Sequence, residues 1–187
     1  MTSRPGARAF GVLLAMAVVA GGCGSSGPAP AGPVSVNGHG VVESTAFGDG
    51  DAMPARITCD GAGLSPPLRW AAPDGAPEGL DYAILVVDVD ASGGDFVHWL
   101  VYGLARSGSI PEGGPVPGPE GRNSFGDDGY GGPCPPPGDG PHRYEVRLYA
   151  LRAPPTPPPS GLSVDDLLGG VPDGAGLATL IGTYGRD

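Results

Sequence analysis

Three apolar stretches organise the chain. Leu80 to Asp90 reads Leu-Asp-Tyr-Ala-Ile-Leu-Val-Val-Asp-Val-Asp, a nearly continuous apolar run of the kind found in a strand covered on both faces. Phe96-Val-His-Trp-Leu-Val-Tyr102 gives a second strand pattern, with His98 in its first half. From His142 the chain alternates. His142, Tyr144, Val146, Leu148 and Ala150 form one set, and Arg143, Glu145, Arg147, Tyr149 and Leu151 the other. Side chains alternate across a strand, so the first set is expected in a core and most of the second in water. Ser163-Val-Asp-Asp-Leu-Leu168 predicts a short helix with Ser163 as N-cap, acidic residues in its first turn and Gly169-Gly170 as its stop. Asp173 is read as the cap of a second short helix, through Leu177 to Ile181, and Pro154 to Pro159 as an extended polyproline connection. Strands first and short helices last predict a mainly β fold, antiparallel or mixed, with peripheral helices.

The loop ahead of the third strand, Gly132-Pro-Cys-Pro-Pro-Pro-Gly-Asp-Gly-Pro-His142, cannot be helical, because proline removes backbone donors and disfavours the α region in the residue before it. It can hold a fixed concave turn and deliver His142 to one end of the strand. Asp88 and Asp90 end the first strand. Two carboxylates there are costly to desolvate unless donors surround them. The histidines and carboxylates are the candidate acid–base groups, and no serine sits in a G-x-S-x-G context, so binding is favoured over catalysis.

The chain has 187 residues with 36 glycines and 24 prolines, yet its apolar strands are too regular for a disordered protein. Its formal net charge of −10 argues against nucleic acid and against electrostatic adhesion to anionic lipid. A local anion pocket is still allowed, since donors act at short range. Arg4 and Arg8 precede an apolar stretch from Phe10 to Ala20, which ends at Val19-Ala-Gly-Gly-Cys23. This reads as an export signal resembling a bacterial lipobox, with Cys23 as the lipid acceptor. Residues 1–22 are then a lipoprotein signal peptide, 23–40 a flexible Gly/Pro/Ser tether and 41–187 a single domain. With Cys23 lipidated, Cys59 and Cys134 remain as a pair in an oxidising compartment, and a disulfide between them is expected. A metal site of Cys134, His142 and His98 ranks below it, since no metal-ligand spacing supports it.

Several pieces together resemble the phosphatidylethanolamine-binding protein family, in its bacterial Raf-kinase-inhibitor-like branch. They are Arg56-Ile-Thr-Cys-Asp-Gly61 with Ser65-Pro-Pro-Leu-Arg-Trp70, Asp88-Val-Asp-Ala91, Phe96-Val-His-Trp99, Gly121-Arg-Asn-Ser-Phe-Gly126, Gly129-Tyr-Gly-Gly-Pro-Cys-Pro-Pro136, His142-Arg-Tyr144 and Leu180-Ile-Gly-Thr-Tyr-Gly-Arg186. The resemblance runs from about Val41 to the end. It departs at Asp88-Val-Asp-Ala-Ser92, which lacks both prolines of the family's usual Asp-Pro-Asp-Ala-Pro. It implies the family's β fold with short peripheral C-terminal helices, and no cofactor. It also implies a pocket for a phosphate-bearing head group or other small anion, with ligand-binding residues Asp88, Asp90, His98, Gly132, Pro133, His142 and Tyr144. In that pocket an aspartate orients a histidine, and the imidazolium, the loop backbone and the Tyr144 hydroxyl face the anion. A lipid-anchored protein on the extracytoplasmic side of a bacterial cell membrane is expected. The alternatives are a regulatory inhibitor of a kinase or protease and a metal-dependent hydrolase.

Overall fold

A computed structural model describes residues 1–2, 38–152, 160–169 and 176–187. The Cys23 acceptor, the signal peptide beyond its first two residues, most of the tether, the polyproline stretch and Asp173 lie outside the described residues. Two antiparallel sheets form the molecule. The smaller joins β1 (Val41–Ser44), β2 (Leu68–Ala71) and β5 (Ser107–Ile110) in the order β1-β2-β5. The larger joins β3 (Leu80–Asp88), β4 (Phe96–Leu104), β6 (His142–Arg152) and β7 (Ala178–Tyr184) in the order β4-β3-β6-β7.

The larger sheet is buried on both faces, as the continuous apolar run of β3 requires. One face carries Tyr82, Ile84, Val86, Trp99, Tyr144, Val146 and Leu148 against Val42, Leu68, Trp70 and Ile110 of the smaller sheet. The other carries Ala83, Leu85, Val87, Leu100, Tyr102, Tyr149 and Leu151 under helix α1 (Val164–Leu168), which contributes Val164, Leu167 and Leu168. Each fully buried side chain of this size contributes about 1.5–3 kcal/mol. Helix α1 is held in the manner its sequence predicts. Ser163 accepts from Asp166 N, the Asp166 carboxylate reaches back to Ser163 N, and Gly169 closes the helix in the left-handed region at φ 74°.

Two expectations are corrected. Most of the second set of β6 does not face water. Only Arg143 is exposed, while Arg147, Tyr149 and Leu151 are buried because α1 covers that face. Arg147 is tolerated there through its ion pair with Glu145 at 2.8 Å. Nor is Leu177 to Ile181 a helix. Ala178 to Tyr184 is the edge strand β7, paired with β6 from Leu148↔Ala178 to His142↔Tyr184. Thr179, Ile181 and Thr183 suit a pleated surface, and the free edge of β6 supplies the backbone partners that a short isolated helix would lack.

Candidate functional site

Register places the candidate residues at one end of the larger sheet. Asp88, the last residue of β3, lies opposite Phe96 of β4 on one side and Tyr144 of β6 on the other. His142 opens β6. An irregularity in β4 completes the arrangement. Val86 pairs with Trp99 and Val87 with Val97, so His98 is the extra residue of a β-bulge. Without the bulge Val97 would lie opposite Asp88. With it, Phe96 takes that place and Val97 turns to the α1 face. Rings are thereby gathered on the Asp88 side. The His98 ring contacts Tyr144 at 5.2 Å, Phe96 at 5.2 Å and Phe125 at 5.4 Å between centroids.

Beside these rings lies a cavity of about 240 Å³, lined among others by Asp88, His98, His142, Phe96, Phe125 and Asp139. The His142 Nδ1–H donates to Asp88 Oδ2 at 2.8 Å, both side chains being under a tenth exposed. The other Asp88 oxygen accepts from Asp90 N at 2.9 Å, a local turn that stands where the family pattern carries proline. The His98 Nδ1 lies 2.7 Å from the Gly131 carbonyl oxygen, and since a carbonyl only accepts, this nitrogen carries the proton. Burial lowers the His98 pKa, against smaller raising effects from Gly131 and the Asp88 charge.

Not every expected site residue reaches the cavity. Asp90 turns away and accepts from Arg143 through its backbone N and both arms of the guanidinium, at 2.6–2.9 Å. Gly132 and Pro133 do not line the cavity but fix its wall. Pro133 O accepts from Cys59 N at 3.1 Å, and a Cβ on Gly132 would press the Thr58 backbone at 3.0 Å, so a larger residue there would push the two loops apart. Tyr144 is fully buried behind His98, and its hydroxyl has no hydrogen-bond partner among the described residues. Burial raises its pKa strongly and the neighbouring Asp88 charge adds to this, although Asp88 is not placed to accept from it.

Cys59 and Cys134 are joined in a disulfide with Cα atoms 5.4 Å apart, so the Cys134 sulfur is not available as a thiolate ligand for metal. The bridge, Pro135 and Pro136 form part of the cavity wall. The C-terminal tail braces this wall from outside. Gly138 N donates to Arg186 O, Arg186 pairs with Asp60 at 3.1 Å, and Tyr184 donates to Asp60 at 2.6 Å. Phe96, Phe125, Pro135, Pro136 and Asp139 were not expected among the site residues. Phe125 had a legible signal, an aromatic residue in a Gly-rich polar loop with no apolar periodicity around it, and it is half exposed at the cavity mouth.

The Arg143 contact has a pH signature. Its hydrogen bonds hold the Asp90 pKa at about 2 instead of the ordinary 3.8. A depressed carboxylate stabilises the fold fully above the unfolded value and loses that contribution as pH falls through the folded one. Asp90→Asn is therefore expected to lower the melting temperature at pH about 5, and the gap to the unaltered protein should shrink as pH falls towards about 2 and close below it. The partly exposed pair limits the effect to about 1 kcal/mol. Parallel thermal melts across that range check it, and a gap independent of pH would refute it.

A family model described as phosphatidylethanolamine-binding protein matches residues 43–185. The chain is 38% identical over 194 residues to the Mycobacterium tuberculosis protein named "Putative lipoprotein LppC", with 91% of this chain and 92% of the relative covered. It is 40% identical to UPF0098 protein Rv1910c of the same species, over 77% of this chain and 69% of the relative. Among solved structures, Escherichia coli YbcL, described as a new member of the mammalian PEBP family, superposes with a TM-score of 0.65 at 30% identity, covering 80% of this chain and 99% of that one.

Proposed function

The chain belongs to the phosphatidylethanolamine-binding protein family, and from that membership we propose that it binds a small anion, such as a phosphate-bearing head group, in the cavity bordered by Asp88, His98 and His142. The observation that carries this reading is the buried Asp88–His142 pair. Asp88 occupies Nδ1, so Nε2 is the ring nitrogen of His142 left for a ligand. When His142 is protonated, Asp88 carries its counter-charge, and the Nε2–H becomes a charge-assisted donor in a partly dry site. Binding, not catalysis, is the role this arrangement supports, and no cofactor enters it.

Inorganic phosphate and phosphorylethanolamine should bind more tightly at pH about 6 than at pH about 8, because the donor exists only on the charged imidazole. Calorimetric titration at the two pH values checks this. Absence of binding at both would remove the proposal.

The protein is further proposed to be lipid-anchored through Cys23 on the outer side of a bacterial cell membrane. The small residues before Cys23 and the lipoprotein name of a 38% identical relative support this. Cys23→Ala should abolish a lipid-dependent mobility shift and release the protein from the membrane fraction. An unaltered protein that is already soluble and unlipidated would refute anchoring.

A further inference from the structure

The two cavity histidines are committed in different ways, and the difference bears on what the site selects. Each has its Nδ1 engaged, His142 with a carboxylate and His98 with a backbone carbonyl. In each, Nε2 is the ring nitrogen left for a ligand. His142 has an acidic partner to balance a second proton. The strongest contact of His98 is a neutral carbonyl, and its neighbours are the rings of Phe96, Phe125 and Tyr144. A neutral imidazole protonated at Nδ1 presents Nε2 as an acceptor. The polar end of the cavity therefore offers a donor at His142 and an acceptor at His98. Two carboxylates, Asp88 and Asp139, line the same cavity, and no Lys or Arg is among its lining residues.

Building on the phosphate reading above, we propose that His98 is a specificity-determining residue that requires an acidic O–H on the ligand, so that the cavity selects phosphomonoesters and phosphate, in their protonated monoanionic form, over phosphodiesters and sulfate. The ligand's P–O–H donates to His98 Nε2 while its other oxygens accept from His142. A phosphodiester or sulfate sets an oxygen lone pair against the nitrogen lone pair, leaving two buried acceptors facing each other. Carrying one negative charge instead of two also reduces repulsion from Asp88 and Asp139. The charged and titratable groups around the two histidines are Asp88 from β3, Asp90 just beyond it, Asp139 from the proline loop and Tyr144 from β6. Asp88 and Asp139 repel an anion, Asp90 is offset by its ion pair with Arg143, the Arg186 guanidinium lies 3.7 Å from the Cys134 sulfur of the cavity wall, and the phenol is neutral over the range used. On this basis the membrane phosphodiester lipid is a poor ligand and the free phosphomonoester head group a good one.

The test uses matched pairs at pH about 6, where a phosphomonoester is about half monoanionic and sulfate has no proton. Phosphate should bind at least about tenfold more tightly than sulfate, and methyl phosphate at least about tenfold more tightly than dimethyl phosphate. His98→Asn keeps an amide donor for Gly131 O and withdraws the acceptor from the Nε2 position, which the shorter amide oxygen does not reach, so both preferences should collapse towards equality. At pH about 8, calorimetry in two buffers of different ionisation enthalpy should show about one proton more taken up per methyl phosphate than per sulfate bound, since protonation of His142 is common to both. This last measurement uses the unaltered protein and decides the matter if His98→Asn does not fold. Sulfate or dimethyl phosphate binding as tightly as its partner, or methyl phosphate taking up no more protons than sulfate, overturns the proposal while leaving phosphate binding intact. Failure of all four probes to bind takes away the phosphate reading itself.

Discussion

Replacing Cys59 and Cys134 together by serine is expected to lower the unfolding free energy by about 4 kcal/mol. The disulfide joins residues separated by 75 positions, and the chain-entropy model assigns a loop of that length about this much through restriction of the unfolded state. Both cysteines are exposed, so a small thiol reductant should reach the bridge and reproduce the effect. Denaturant unfolding with and without reductant should show a large shift in the unaltered protein and none in the double variant. The native fold should survive, because the wall keeps its Cys59 N to Pro133 O and Gly138 N to Arg186 O hydrogen bonds. Alkylation of the exported protein without reductant should leave both cysteines unmodified. A shift below about 1 kcal/mol on reduction would show that the bridge adds no constraint to the chain.

Asp88→Ala is expected to act on stability and binding together. It removes the acceptor of His142 Nδ1 and of Asp90 N. The His142 donor is then left buried without its partner, while the exposed Asp90 N can turn to water, at a combined cost of about 2 kcal/mol. The counter-charge of the imidazolium is also lost, so phosphate affinity at pH about 6 should fall at least about tenfold. His142→Ala should produce a similar loss of affinity and leave the Asp88 carboxylate buried without its main partner. Unfolding curves and calorimetric titrations on both variants separate the effects. A folded variant that binds phosphate as well as the parent would place the ligand elsewhere and leave this pair as part of the core.

Much of the architecture is written locally. The nearly continuous apolar run of Leu80 to Asp88 reads as a strand covered on both sides, and helix α1 follows from Ser163, Asp166 and Gly169 acting within about two turns of each other. The proline loop could not be helical, and its position ahead of His142 delivers that residue to the end of Asp88. The disulfide followed from cysteine number and compartment. Tertiary structure decided the rest. Residues 178–184 became a strand because β6 had a free edge to pair, and Arg147, Tyr149 and Leu151 were buried because a helix from later in the chain lies over them. Asp90 was captured by Arg143, a residue 53 positions away, through an ion pair that strand pairing brings into reach. The least legible feature was the bulge at His98. Alternation is a property of one strand, but an extra residue exists only relative to a partner, and pairing against Val86 and Val87 is what turns Phe96 and His98 toward Asp88 and Tyr144.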